Sequence, residues 1–249
     1  MKSWIQLLAR RFGYEIRKAP SKNFHSAPIF DLAISYLLST LGHSLTFIQV
    51  GANDGKFGDP LRKYILKYPW KGVLIEPQPE IYEQLLLNYA GLEDRVCFEN
   101  VAISNTPHQI PLYRLPGNLS RDDDACDFAS SVASSSQTIT ARQMRVKSRQ
   151  LVKIMVPTAR LDDIVMRYEL NGLEILQIDT EGFDWQVLQT LDLTKTRPML
   201  IQFEHGHLSP NVIGTMIQHL NSFDYLVYYG GHESDSVAMR SDLLKTINC

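Results

Sequence analysis

The sequence predicts an α/β fold in which a mainly parallel β-sheet is covered by helices. From residue 46 onward, short apolar runs rich in Val, Ile and Phe alternate with segments whose apolar residues recur at the helical period. No internal repeat interrupts this alternation, and the 249 residues, 44% of them apolar, are enough for a large buried core. We therefore expect a sheet built largely from strand–helix units.

The predicted strands are the apolar runs. They cover residues 46–52, 70–76, 95–103, 110–115, 152–158, 174–182, 199–205, 225–230 and 236–240. The last two are predicted to form a strand pair, because Gly230 and Gly231 permit a sharp reversal between them.

The predicted helices lie between the strands, and three have a proline at or next to their first position, where its missing N–H does no harm. They begin at Asp59 with Pro60 following, at Pro79, near Arg160, just before Trp185, and at Pro210. In the helix that Pro79 opens, the apolar residues fall on one side, as expected for packing against a sheet.

Two segments fall outside this alternation. Residues 1–45 are predicted to form an N-terminal helical extension; residues 1–22 hold six Lys or Arg against one Glu, which fits an amphipathic helix that caps the domain or makes weak contact with a membrane surface. Residues 46–249 form the main domain, with a lid-like insertion at about 116–150 that either faces a substrate or is merely tolerated. The insertion contains an acidic triplet and a basic run, namely Asp122, Asp123, Asp124, Arg142, Arg145, Lys147 and Arg149.

Charge and cysteine content exclude several classes of function. The formal net charge of -2 gives no general attraction to nucleic acid or to anionic lipid, so nucleic acid is not a predicted partner. No apolar run reaches the roughly 18 residues that span a bilayer. Cys97, Cys126 and Cys249 have no CxxC spacing, which argues against a disulfide framework and a cysteine zinc site. We therefore expect a cytoplasmic protein.

The segment FIQVGANDG (47–55) predicts a ligand-binding turn at the end of the first strand. Gly51, Asn53 and Gly55 would let backbone N–H groups approach a ligand closely. A dinucleotide fingerprint needs further glycines at positions 53 and 56, and no Walker sequence is present, so a pyrophosphate ligand is not supported. Alone, the pattern is also compatible with a structural tight turn.

Two further strand ends suit an adenosine-containing ligand. Glu76 ends the second predicted strand and can accept both ribose hydroxyls, while Pro77 stiffens the turn that follows. Asn100, Val101 and Ala102 come at the third strand end, where backbone amides and small apolar groups could receive an adenine ring. A solvated glutamate remains the alternative for Glu76.

Acidic and histidine residues follow the next two strands. Asp179, Glu181, Glu204 and His205 are the candidate catalytic residues, because clustered carboxylates raise one another's pKa and a nearby His can act as a base. No metal ligand is assigned, although Asp179, Glu204 and a His could together bind a divalent cation. Helix capping or a core hydrogen bond would be the structural alternatives for individual members.

Together, these stretches resemble the FkbM family of S-adenosylmethionine-dependent methyltransferases. The matching segments are VGANDG (50–55), IEPQPEIYEQL (75–85), ENVAIS (99–104), RLDDI (160–164), ILQIDTEGFDWQVL (175–188) and IQFEH (201–205). The resemblance implies a Rossmann-like class I methyltransferase fold, with helices on both faces of a seven-stranded sheet of order 3-2-1-4-5-7-6 whose last strand is antiparallel.

The resemblance also implies roles for these residues. Gly51, Asn53 and Gly55 would hold the methionine end of S-adenosylmethionine, Glu76 the ribose, and residues 100–102 would border the adenine. Asp179 and Glu181 occupy the acidic turn of the family, and Glu204 its strand-end glutamate. Many members have Asp where this chain has Gln49, and an uncharged amide would hold the cofactor's ammonium less tightly.

We therefore predict methyl transfer to a hydroxyl of a sugar, polysaccharide, glycolipid or related metabolite. Asp179 and His205 are the favoured bases, and the basic run 142–149 could meet a phosphate or carboxylate on the acceptor. One alternative is a metal-dependent glycosyltransferase that uses Asp122–Asp124. Another is an adenosine-ligand-binding protein without catalysis. The sequence leaves the oligomeric state open.

Overall fold

The computed structural model describes residues 29–116, 134–143, 150–230 and 235–245. Within them, ten strands form two sheets: β1 Thr46–Val50, β2 Lys71–Ile75, β3 Val96–Glu99, β4 Ala102–Ile103, β5 Gln109–Arg114, β6 Val152–Ala159, β7 Ile175–Ile178, β8 Leu200–Glu204, β9 Tyr225–Tyr228 and β10 Asp235–Arg240. The amphipathic segment 1–22, the aspartate triplet 122–124 and the basic residues Arg145, Lys147 and Arg149 lie outside the described residues, as does the side chain of Arg142.

The larger sheet has seven strands in the order β3-β2-β1-β7-β8-β10-β9. Counted within this sheet alone, the order is 3-2-1-4-5-7-6. Its neighbours are parallel except at β10, which runs antiparallel to both β8 and β9. The predicted fold class is therefore confirmed, including the antiparallel strand at the end of the chain.

Helices cover both faces of this sheet. Those in the described residues are α1 Ile29–Leu41, α2 Arg62–Lys67, α3 Pro79–Asn88, α4 Gln137–Gln143, α5 Leu161–Arg167, α6 Asp184–Leu188, α7 Pro210–Ser222 and α8 Asp242–Lys245. Alternate strand residues point to opposite faces. Phe47 accordingly belongs to a core with residues of α1, α2 and α3, and Ile48 to a second core with residues of α5, α6 and α7.

The helix α1 is the described part of the predicted N-terminal extension, and it packs into the first core. Ala33, Ile34 and Tyr36 are fully buried, and the Tyr36 hydroxyl donates a hydrogen bond to the carbonyl of Leu243 near the C-terminus. Within the described residues, none of the helices combines the length and the hydropathy that a membrane-spanning helix needs.

The prediction of one strand over 95–103 was wrong. The strand splits at residues 100–101, because β4 leaves the large sheet to pair with β6. There β6 also pairs antiparallel with β5, so the predicted strands 110–115 and 152–158 form a separate three-stranded sheet. This small sheet stands beside the carboxyl ends of the large one and supplies Ile110 and Leu112 to a cavity described below.

The helix predicted to open at Asp59 begins instead at Arg62. The Asp59 carboxylate accepts hydrogen bonds from the backbone N–H groups of Leu61 (2.8 Å) and Arg62 (3.0 Å). It also accepts one from the hydroxyl of Tyr89 at 2.7 Å. Asp59 thus stabilises a turn before the helix, and this turn keeps Pro60 out of the helical geometry.

Candidate functional site

A cleft lies where the carboxyl ends of β1, β2 and β7 meet, the position at which open α/β sheets bind ligands. It encloses about 1050 Å³ of empty space when its open mouth and the adjoining solvent are included. Eight of the predicted site residues line it: Gly51, Asn53, Glu76, Pro77, Val101, Ala102, Asp179 and Glu181. The structure therefore brings together residues from four separate strand ends.

Gly51 allows the ends of β1 and β7 to approach each other. Its φ is +81°, and a Cβ at this position would lie 1.8 Å from the backbone carbonyl oxygen of Asp179. The N–H groups of Gly51 and Ala52 both donate to the carbonyl of Ile75 at 3.0 Å. Asn53 follows with φ +52°, a left-handed conformation that Asn tolerates better than most residues. The glycine is thus required by the fold of the turn itself.

Glu76 is held at the cleft by two backbone N–H groups. Its Oε2 accepts from Asn53 at 3.0 Å and its Oε1 from Gln78 at 2.9 Å. The residue is only 4% exposed, and burial raises the pKa of its carboxyl to about 7 despite these two hydrogen bonds. The Gln78 side chain also hydrogen bonds to this carboxylate. Because a carboxylate has about four lone-pair sites, the group can still accept a hydrogen bond from a ligand in the cleft.

Gly55 and Asn100, which were predicted to contact a cofactor, lie outside the cleft lining and instead support the elements around it. A Cβ on Gly55 would lie 2.4 Å from Leu85 and 2.5 Å from Tyr89, so the missing side chain makes room for α3. The Asn100 amide donates to the carbonyl oxygen of Glu76 at 2.8 Å and so ties the end of β3 to the glutamate.

Three buried glutamines form a row across β1, β7 and β8. Gln49 pairs in register with Gln177, and Gln177 with Gln202. The side-chain oxygen of each is buried and accepts no hydrogen bond from any described residue. Gln49 and Gln177 also line the cleft. A buried, unsatisfied amide oxygen costs about 1–3 kcal/mol, so this row suits a ligand that brings N–H donors, such as an ammonium group.

Asp179 directly follows β7, two residues after Gln177. Its side chain opens onto the cleft, while its backbone N–H donates to the carbonyl of Val50 at 2.9 Å. Desolvation of the carboxyl by the surrounding protein, followed by the charges of Glu181 and Asp235, raises the pKa of Asp179 to about 7. The group can therefore gain or release a proton near neutral pH.

Glu181 adopts a backbone conformation that is rare for a residue with a side chain. Its φ is +53°, and Gly182 after it has φ +94°. Such a conformation costs about 1–2 kcal/mol, and the Ser134 hydroxyl stabilises this turn by donating to the Glu181 carbonyl at 2.9 Å. The Glu181 carboxylate lies 3.3 Å from Nε2 of His207.

Glu204 ends β8 beside this turn. Its Oε1 lies 3.6 Å from the same nitrogen of His207. Its Oε2 is buried and accepts no hydrogen bond within the described part of the chain. Burial, followed by the charges of neighbouring carboxylates, of which Asp179 is the first, raises the pKa of Glu204 to about 10. Glu204 therefore holds a proton at neutral pH unless a cation approaches it.

His205 lies outside the cleft lining. It is 4% exposed, its Nδ1 is hydrogen bonded to the Ser236 hydroxyl at 2.9 Å, and its ring contacts that of Tyr229. The histidine that meets the acidic residues is instead His207, which the sequence reasoning did not select. The only signal was its place two residues further on in the same EHGH segment.

Asp184 is a second residue whose importance the sequence did not reveal. It is fully buried at the start of α6, where it accepts hydrogen bonds from the Thr180 hydroxyl at 2.9 Å and from the backbone N–H of Glu204 at 2.8 Å. It thereby fixes the end of β8 against the loop that follows β7. Burial, with the charge of Asp179 as a smaller contribution, raises the pKa of Asp184 well above its usual range.

Comparison with known proteins gives one family and several structures of similar fold. Residues 49–227 match the methyltransferase FkbM domain. No curated protein sequence matches the chain. The methyltransferase FkbM from Methylobacillus flagellatus KT is 13% identical with a TM-score of 0.47; the match covers 79% of this chain and 44% of that one, so the chain spans less than half of that protein's length.

Two further solved structures resemble the chain at similar levels. The N-terminal domain of human METTL16 is 13% identical with a TM-score of 0.44, over 96% of this chain and 79% of that one. The precorrin-6y C5,15-methyltransferase from Geobacter metallireducens GS-15 is 11% identical with a TM-score of 0.42, over 89% of this chain and 93% of that one.

Proposed function

Because the chain belongs to the FkbM methyltransferase family, we propose that it transfers the methyl group of S-adenosylmethionine to a hydroxyl oxygen of a sugar, polysaccharide, glycolipid or related metabolite. The observation that carries this proposal is the cleft itself. It combines an anchored carboxylate, Glu76, with unsatisfied amide oxygens and a cluster of carboxyl groups within one family domain. The acceptor class rests on family resemblance.

The residues of the cleft suit the proposed cofactor. Glu76 would accept hydrogen bonds from the ribose hydroxyls, and the oxygens of Gln49 and Gln177 would accept them from the ammonium group. Val101 and Ala102, with apolar residues of β5 beside them, would border the adenine. When bound, S-adenosylmethionine supplies a methyl group activated by the sulfonium, whose S–C bond breaks as the new O–C bond forms and leaves its electron pair on sulfur.

The acceptor hydroxyl must also lose its proton, and the carboxyl groups of the cleft can take it. Asp179 is the best placed of them, because it faces the cleft and its pKa lies near 7. A base of that pKa is partly ionised at neutral pH and still accepts a proton readily. Glu181 lies next to it and would assist through its negative charge, whereas Glu204, which holds a proton at neutral pH, would not. His205 is buried elsewhere, so we do not assign it this role.

Asp179→Asn tests the proposal. The amide keeps the shape of the side chain but cannot take a proton, so methyl transfer from labelled S-adenosylmethionine should fall by about 100-fold or more. Binding of S-adenosylhomocysteine, measured by calorimetry, should change little. Absence of binding of either form of the cofactor to the folded wild-type chain would overturn the proposed function.

The acceptor requires its own measurement. A panel of glycans, glycolipids and polyketide-like alcohols, incubated with labelled cofactor, should yield a methyl ether from at least one hydroxyl compound. Labelling of amine or nucleic-acid acceptors alone would contradict the proposed acceptor class while leaving the cofactor assignment intact.

A further inference from the structure

Three side chains, of which Glu181 lines the cleft and the other two lie next to it, place one donor atom each around a common point. They are Glu181 from the loop after β7, Glu204 at the end of β8, and His207 three residues later. The His207 Nε2 lies 3.3 Å from Oε2 of Glu181 and 3.6 Å from Oε1 of Glu204. All three donor atoms lie within 4.8 Å of one another.

The two separations from His207 are close to those between ligand atoms of a bound metal ion. Two ligand atoms at about 2.1 Å from a tetrahedral ion are about 3.4 Å apart. One imidazole with two carboxylates is a donor set that suits divalent ions of the manganese and zinc type. A protonated His207 between two carboxylates would give similar distances, and the experiment below separates the two possibilities.

The charge around this cluster also favours a cation. Asp179, Asp184 and Asp235 lie close enough to Glu204 to interact with it electrostatically, so further acidic groups surround this place. The buried Oε2 of Glu204 accepts no hydrogen bond from the described residues, so an acceptor remains available there. A divalent ion would stabilise the whole set, because its charge dominates the local field.

The geometry points to a site for a divalent transition-metal ion of the Mn²⁺ or Zn²⁺ class, held by Glu181, Glu204 and His207. This revises the sequence reasoning, which assigned no metal ligand and considered only Asp179, Glu204 and an unspecified histidine. Glu181 also lines the cleft, so the ion would lie at its wall with a coordination position left for a water or an acceptor oxygen. That use of the ion rests on the proposed function; the binding site itself does not.

Titration of the untagged, chelator-treated chain with Mn²⁺ tests the site, with the free ion followed by electron paramagnetic resonance. Zn²⁺ in competition with a chromophoric chelator is the second probe. We expect one ion per chain and more than about tenfold weaker binding in both Glu204→Gln and His207→Asn. The control is His43→Asn, an exposed histidine before the amino end of β1. Circular dichroism verifies that each variant is folded.

The outcomes are distinct. Binding of either ion that weakens in both variants but not in the control supports the site. Failure of both ions to bind at about 1 mM, or wild-type affinity in either variant, would overturn it and leave an ion pair at this place. S-adenosylhomocysteine binding, measured on the metal-free chain, reports separately on the proposed function.

Discussion

Glu76→Gln is the change that examines the cleft most directly. The glutamine keeps the size of the side chain but replaces one carboxylate oxygen by an NH₂ group. Both oxygens of Glu76 now accept from backbone N–H groups, of Asn53 and of Gln78. One of these N–H groups would face a donor in the variant, and one acceptor for a ribose hydroxyl would be lost.

The expected magnitude follows from the charge of the lost acceptor. A hydrogen bond to a charged group contributes about 1.5–3 kcal/mol, so the Kd for S-adenosylhomocysteine should rise about 10- to 150-fold. The pH dependence should change as well. Because the Glu76 carboxyl has a pKa of about 7, wild-type affinity should increase as the pH rises from about 5.5 to 7.5, by less than tenfold per unit.

Calorimetric titrations with S-adenosylhomocysteine at several pH values measure both effects. Asp179 faces the same cleft and has a similar pKa, so Asp179→Asn is the matched control that shows its share of the pH dependence. The Glu76→Gln variant should show only that share. A variant Kd within twofold of the wild type, with an unchanged pH slope, would refute the assignment of Glu76 to the ribose.

Three further predictions concern stability. Gly51→Ala should lower the free energy of unfolding by about 3 kcal/mol or more, because its Cβ would lie 1.8 Å from the Asp179 carbonyl oxygen. The control is Gly42→Ala, also at positive φ but with open space around it, which should lower the free energy of unfolding by about 1–2 kcal/mol. Equal losses in the two variants, measured by urea unfolding, would argue against the close approach. The cofactor-free chain should lose up to about 3 kcal/mol of stability as the pH rises from the ordinary glutamate pKa of 4.5 to the Glu76 pKa of about 7. Over this range the folded chain keeps a proton that the unfolded chain releases. An increase of the free energy of unfolding in urea over the same range would contradict this. His205→Gln should lower the free energy of unfolding by about 1–3 kcal/mol, measured by thermal unfolding, and should leave the cofactor affinity unchanged. A loss of methyl transfer at unchanged stability would instead indicate that His205 acts as a base.

The large sheet could be predicted from the sequence because its signals are local. The central strands are short apolar runs, and β1, β2 and β7 are followed directly by Gly51, Glu76 and Asp179. The departure of β4 from that sheet could not be predicted, because the apolar pattern of β3 resumes in Ala102 and Ile103 after only two polar residues, Glu99 and Asn100. What redirects them is pairing with β6, about 50 residues later, and such non-local pairing leaves no periodic trace.

The candidate site could be predicted in part, for a related reason. Glu76 and Asp179 directly follow strands, so the alternation of side chains nearly fixes where they point. His205 and His207 come after β8 has ended at Glu204, where alternation no longer applies, and the choice between them depends on how the loop turns. A usable signal was overlooked, since single glutamines interrupt three otherwise apolar strands at positions that pair in register.

The two polar layers of the sheet edge set the charge of ligands that can bind. The first layer is formed by the amide oxygens of the three glutamines. The second layer, two residues further along β7 and β8, is formed by the carboxyl groups of Asp179 and Glu204. The corresponding residue after β1 is Gly51, which has no side chain. The cleft is therefore open at the end of β1 and lies beside the acidic groups at the ends of β7 and β8. Desolvation is the main cause of the raised pKa values of both groups, and repulsion between carboxylates is the next. An anionic acceptor group would add to that repulsion, whereas a cationic cofactor and a neutral hydroxyl would not. We therefore expect a phosphorylated or carboxylated acceptor to bind only when a cation occupies the Glu181, Glu204 and His207 cluster, and a neutral polyol to bind without one.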